Sequence, residues 1–190
     1  MVGLSTSRLL LRPLSREDAA DVSRLAGEWR VARMMADMPA GLSVDGAVAW
    51  IDDATSHGRV FAIVTEGRFV GAVSLIDVEP GIAELGFWLG SAYWGRGIAL
   101  EAARGVLEWC GRQDCYHTIV SGHYIDNPAS GRVLGRLGFA PTGHSEVWSE
   151  ARQRHVAALR FVRSVAPDVE GDCEPAASRD PLQALAERRA

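Results

Sequence analysis

Tyr93-Trp94-Gly95-Arg96-Gly97-Ile98-Ala99 decides how the rest of this chain is read, because two glycines sit where an apolar run gives way to an amphipathic helix. Upstream, Glu84-Leu85-Gly86-Phe87-Trp88-Leu89-Gly90 is short, apolar and aromatic, as a buried strand is. Downstream, Ala99, Ala103, Val106, Leu107 and Cys110 recur at helical spacing, with Glu101, Arg104, Glu108 and Arg112 on the other face. A loop so placed aims free backbone N–H groups and the positive end of the helix dipole at one point, and small side chains let an anion approach. The expected ligand is a phosphate or pyrophosphate.

Two familiar phosphate loops do not fit. A P-loop needs Lys and then Ser or Thr after its last glycine, where this chain has Ile98 and Ala99. A dinucleotide fingerprint needs a third glycine, and the spacing from Gly95 puts Leu100 there, after a late strand and not the first. A glycine pair alone also serves as a plain tight turn, so context has to decide.

The context is Asp126-Asn127-Pro128-Ala129-Ser130-Gly131-Arg132-Val133-Leu134-Gly135-Arg136-Leu137-Gly138-Phe139. Asn127 before Pro128 reads as a helix cap with proline in the first turn, Val133, Leu134 and Leu137 form an apolar stripe, and Gly138 closes the helix. Together the two segments resemble the acetyl-coenzyme A loop and following helix of the GNAT-superfamily N-acetyltransferases, in the branch that includes the Rim-type enzymes of ribosomal-protein N-termini. Ser7-Arg8-Leu9-Leu10-Leu11-Arg12-Pro13-Leu14 is similar to that branch's first strand, and Ser15-Arg16-Glu17-Asp18 offers a capping-box helix start. The resemblance covers roughly residues 5–163. It departs at Trp94, where the superfamily's loop often carries Gln or Arg, which leaves the pyrophosphate to backbone amides.

The resemblance implies an α/β (α+β) fold: a mixed, mostly antiparallel sheet of about seven strands, splayed around a cofactor cleft and flanked by about four helices. Apolar patterning and turn signals place helices near 16–29, 43–56, 97–112 and 128–136. They place strands near 60–65, 68–77, 82–90, 117–124, 140–148 and 155–163, with Glu66-Gly67 as a hairpin turn. Residues 1–163 are expected to form one catalytic domain. Residues 164–190, with few large apolar residues and many breakers, read as a flexible tail in which Leu182–Ala186 could form a short helix.

At 190 residues and 47% hydrophobic, the chain can bury a core without disulfides or metals. No apolar run is long enough to span a membrane, and the start lacks the h-region of a secretory signal. Cys110, Cys115 and Cys173 are odd in number and lack C-x-x-C spacing, consistent with a reduced cytoplasm. A net charge of −4 with scattered arginines argues against nucleic acid. The five histidines have no partners at ligand spacing, so no metal is expected. The expected partners are acetyl-coenzyme A and an amine acceptor, for a monomer or homodimer.

Acetyl transfer needs a deprotonated amine, a polarised carbonyl and a proton for the leaving thiolate. The resemblance places pantetheine in a gap between strands 82–90 and 117–124, paired with the backbone of Phe87, Trp88 and Leu89, where a strand N–H polarises the carbonyl. The pyrophosphate then falls to Trp94, Gly95, Arg96, Gly97, Ile98 and Ala99. Glu84 is the candidate general base, since strand alternation turns it toward the cleft and partial desolvation suits a carboxylate to take a proton. The alternative is that Glu84 sits at the strand's solvated start and forms a surface ion pair. By resemblance Asn127 contacts pantetheine and Ser130 lies near the sulfur, although Asn127 is also a competent cap without a ligand. Tyr124 is the rival acid.

For the acceptor side, His144, Trp29, Met34, Met35 and Met38 are candidates to line a pocket, and Asp37, Glu146 and Glu150 could attract a cationic amine. The substrate class stays open among protein N-termini, amino acids and small amines. Two other readings stand beside the enzyme: an inactive acyl-coenzyme A sensor, and a phosphate-nucleotide enzyme using the same loop.

Overall fold

The computed structural model of the protein describes residues 3–113 and 116–165. Cys115, Cys173 and the tail from Ala166 onward, including the short helix expected at Leu182–Ala186, lie outside the described residues. Eight strands form one sheet: β1 (Leu4–Ser5), β2 (Leu10–Pro13), β3 (Gly58–Thr65), β4 (Arg68–Glu79), β5 (Ile82–Leu89), β6 (Thr118–Tyr124), β7 (Ala140–Ser149) and β8 (Arg154–Ser164). Their order is β1-β2-β3-β4-β5-β6-β8-β7. Every neighbouring pair is antiparallel except β5 and β6. The described helices are α1 (Ala19–Ala26), α2 (Trp29–Ala32), α3 (Val44–Ser56), α4 (Ile98–Gly111) and α5 (Pro128–Arg136).

The central strands are apolar on both faces, which suits a sheet covered on both sides. From β3 and β4, Phe61, Ile63, Val73 and Leu75 pack with Val106, Leu107 and Cys110 of α4 and Leu134 of α5. Val60, Ala62, Phe69 and Ala72 point the other way, against Val22 and Ala26 of α1 and Ala47 and Ile51 of α3. Glu66 and Gly67 both have positive φ, 51° and 73°, the geometry that matches the twist of a tight hairpin.

Two expectations are corrected. The helix expected over 16–29 is a 3-10 turn at Arg16–Asp18 continued by α1, a break at Gly27-Glu28, and the separate α2. Glu28 is extended (φ −61°, ψ 128°), and the Gly27 carbonyl accepts from Gly41 N–H at 2.8 Å, so the returning loop takes the bond that would have continued the helix. The start is marked as expected by Asp18, which accepts from Ser15 N–H (3.0 Å) and from both terminal nitrogens of Arg12 (2.8 and 2.5 Å). Burial pushes the Asp18 carboxyl up, but these donors outweigh it and hold it below its ordinary value.

The strand expected at Ser7–Leu14 is also shorter, and a separate two-residue strand, β1, precedes it. Only Leu10–Pro13 pairs with β3, because residues 6–8 turn aside to Glu101 in the first turn of α4. Glu101 accepts from Thr6 Oγ1 (2.6 Å), Ser7 Oγ (2.9 Å), Arg8 N–H (2.9 Å) and Arg8 Nε (2.7 Å). Helical periodicity put it on the solvated face, yet its side chain is only 16% exposed. Burial pushes its carboxyl up, and the donors on Thr6, Arg8 and Ser7 overcome that and bring it down to about 2.

A carboxyl lowered in this way stabilises the fold fully above its ordinary value near 4.5, and the contribution disappears as pH falls toward 2. Glu101→Gln should therefore be less stable than the parent by about 1–3 kcal/mol at pH 7, with the difference shrinking between about pH 4.5 and 2. Urea unfolding midpoints of the two proteins across that range check it.

Candidate active site

The sheet opens at one place. β5 and β6 pair only at Ile82 with Thr118, Ala83 with Ile119 and Glu84 with Val120. Beyond Glu84, β5 stays locked to β4 as far as Gly71 and Leu89, and β6 stays locked to β8 as far as Tyr124 and Ala158. The strands therefore diverge, and the last link across is Ser121 Oγ donating to the Leu85 carbonyl at 2.8 Å. Alternation turns the backbone of Leu85, Phe87 and Leu89 to the gap. The Leu89 carbonyl is capped by Trp94 Nε1 at 2.8 Å, and Phe87 has no strand partner on that side.

The gap runs into a cleft of about 1450 Å³. At one end is the glycine loop. Gly95 and Gly97 both have φ of 75°, which few other residues adopt cheaply, and Gly97 is the N-cap of α4. The first amides of α4 have no intrahelical acceptor and face outward together, the arrangement that binds anions. The loop is held in place by Ser91 Oγ donating to Glu28 (2.7 Å) and by Arg30, 5.7 Å over the Trp94 ring. Arg132 and Arg136 of α5 line the cleft too.

At the start of α5, the Asn127 side chain accepts from Ser130 N–H at 3.3 Å, so it caps the helix as expected. Among the described residues the half-buried Ser130 hydroxyl makes no hydrogen bond. Tyr124 differs. It is buried, and its hydroxyl donates to the Trp148 carbonyl at 2.9 Å.

Glu84 projects from the face of β5 that also carries Trp88, toward the layer of α1 to α3. Its nearest cation is one that sequence reasoning missed: Arg160 of β8, 6% exposed, with Nη1 4.0 Å from the Glu84 carboxylate. Arg160 reaches past β6 because the residue opposite it is Gly122, where a Cβ would stand 3.1 Å from the same Nη1. A glycine inside a strand is the one signal in the sequence that a side chain crosses there.

The acceptor end is lined by Val31, Met34, Met35, Trp50, Asp37 and Glu150. Met38 is instead fully buried in the core, Trp29 is half exposed away from the cleft lining, and Glu146 and His144 are exposed on β7 outside it. The histidines that line the cleft are His57 and His123, the latter stacked on Phe161 with its Nδ1 2.8 Å from the Tyr124 carbonyl. Among the described residues, no three His, Cys, Asp or Glu side chains are grouped to hold a metal ion, and no helix is long and apolar enough to cross a membrane.

Comparison with known proteins agrees with this geometry. The ribosomal-protein-serine acetyltransferase of Escherichia coli (strain K12) is 29% identical over 89 residues, 46% of this chain and 50% of that protein, so the chain spans about half the length of that relative. The N-acetyltransferase p20 of Bacillus licheniformis, itself uncharacterised, is 27% identical over 170 residues, 85% of this chain and 95% of that one. Among solved structures, the ribosomal L7/L12 alpha-N-protein acetyltransferase RimL in complex with coenzyme A superposes with a TM-score of 0.77 at 17% identity, over 88% of this chain and 100% of that chain. The self-immunity acetyltransferase MccE in complex with acetyl-CoA and AMP gives 0.73 at 18% identity, over 84% and 94%. The model of the acetyltransferase (GNAT) domain matches residues 8–140, a span that takes in the glycine loop, the opened strands and all of α5, and the chain belongs to the GNAT acetyltransferase family.

Proposed function

We propose that this protein moves an acetyl group from acetyl-coenzyme A to a primary amine by direct attack in a ternary complex. The observation that carries the reading is the gap between β5 and β6 beyond Glu84, with a double-glycine helix cap at one end of its cleft. A thioester with a pyrophosphate at its far end matches both parts. The amides of residues 95–99 would hold the pyrophosphate, and the gap-facing backbone of Phe87 and Leu89 would hold pantetheine and polarise the carbonyl, while Trp88, expected to join them, turns its backbone to β4 and only lines the cleft. Asn127 would both cap α5 and face the arm.

In the reaction, the amine nitrogen bonds to the acetyl carbon, the carbon–sulfur bond breaks, the amine loses a proton and the thiolate gains one. Glu84 takes the first proton, a role supported by its position at the last paired residue of β5 with the Arg160 guanidinium 4.0 Å from its carboxylate. Ser130 supplies the second, since its hydroxyl is uncommitted while that of Tyr124 is engaged with Trp148. Ribosomal-protein N-termini are supported as acceptors by the names of the relatives, and small amines fit the same chemistry.

Coenzyme A at about 100 times its dissociation constant should add roughly 2.7 kcal/mol to stability, and failure of saturating coenzyme A to shift the thermal midpoint would remove this reading. An acceptor screen that reads free thiol then gives the amine class. Glu84→Gln should keep the coenzyme A shift, lower turnover by about 10²-fold and recover activity as pH rises toward the amine's own range; unchanged kinetics would exclude Glu84 as base. Ser130→Ala should lower turnover by at least about tenfold, whereas Tyr124→Phe should cost about 1 kcal/mol of stability with turnover within about threefold.

A further inference from the structure

The two walls of the cleft come from separate parts of the chain, and one side chain touches both. Arg152 lies in the turn between β7 and β8, and its side chain is 7% exposed. Its Nε donates to the Arg33 carbonyl at 2.8 Å and its Nη2 lies 3.7 Å from Sδ of Met34, which lines the acceptor-side wall. Its Nη1 and Nη2 donate to the two oxygens of Asp126 at 2.9 and 3.1 Å, and its guanidinium lies 5.0 Å over the Tyr124 ring. Asp126 directly precedes Asn127, the cap of α5, and also pairs with Arg33 at 2.9 Å.

A planar guanidinium suits this place, because its fork can grip a carboxylate while the remaining N–H donates elsewhere and its face rests on a ring. The strap is reinforced beside it. Glu150 N–H donates to the Ala36 carbonyl at 2.8 Å, so residues 33–36 are tied twice to the β7–β8 turn. The hydrogen bonds from Arg152, aided by Arg33 and opposed by partial burial, hold the Asp126 carboxyl below its ordinary value.

We propose that Arg152 is a positioning residue that couples the cofactor-facing start of α5 to the acceptor-side wall, so that occupancy by coenzyme A orders residues 33–37. The inference rests on the proposed binding of coenzyme A at α5. Fixing Asn127 and Ser130 against a ligand fixes Asp126, and Asp126 fixes the guanidinium that holds the Arg33 carbonyl and Met34. Linkage is reciprocal, so an acceptor that orders the wall also tightens coenzyme A. The donor would thereby assemble the acceptor site before the amine arrives.

Amide hydrogen exchange of the full chain, free and saturated with coenzyme A, tests it. In the parent protein coenzyme A should slow exchange across 33–37 by at least about fivefold, and in Arg152→Gln and Asp126→Asn, each saturated, by less than about twofold. Asp126 is 43% exposed, so Asp126→Asn carries the test if Arg152→Gln does not fold. Full protection of 33–37 in saturated Asp126→Asn would overturn the coupling, as would a parent protein that binds coenzyme A without protecting 33–37. A parent protein that does not bind coenzyme A overturns the cofactor reading itself, and the coupling with it.

Discussion

Everything about the cleft depends on β5 and β6 being unable to close. A strand edge inside a sheet leaves N–H and C=O groups that cost free energy unless something pairs with them. Left to themselves, two adjacent strands would zip. Here each is held on its far side, β5 along β4 to Leu89 and β6 along β8 to Tyr124. Ser121 donating to the Leu85 carbonyl marks where the shared register ends. The gap is therefore a property of the whole sheet and not of a loop.

The same divergence sets the electrostatics. Glu84 stands at the last paired position, where β5 is still close to β6 and Arg160 can reach across Gly122. The cleft lining carries Arg132 and Arg136 at the α5 side, close to Asp126, and the carboxylates Asp37 and Glu150 at the acceptor end, besides Glu84 and Arg160. An anionic donor and a cationic amine would each meet the opposite charge, and desolvated contacts of that kind steer orientation more than they add affinity.

Most of the fold is legible from local chemistry. The Glu66-Gly67 hairpin, the Asn127-Pro128 cap and the glycine pair before α4 each follow from backbone preferences that a few neighbouring residues determine. What is missed lies in contacts between distant residues. Glu84 and Arg160 meet only because β8 inserts beside β6, and strand order is not written in either residue. Glu101 follows the solvated side of a helical pattern, and only the turn at Thr6–Arg8 makes it a buried acceptor. His144 and Met38 fail as pocket residues for the same reason: alternation along a strand, or the course of a loop, assigns each a face that its chemistry alone does not reveal.

The glycine loop also shows how a flexible residue type can form a rigid site. Gly95 and Gly97 are needed for their positive φ, yet freedom of that kind would cost entropy whenever a ligand bound. The surroundings remove it beforehand. Trp94 is pinned to the Leu89 carbonyl, Ser91 to Glu28, and Arg8 reaches from its Glu101 anchor to the Arg96 carbonyl at 3.3 Å. The loop is thus fixed from the sheet, from the α1–α2 connection and from the segment between β1 and β2. An anion arriving at the first turn of α4 would meet amides already oriented, with the ordering cost met by folding and not by binding.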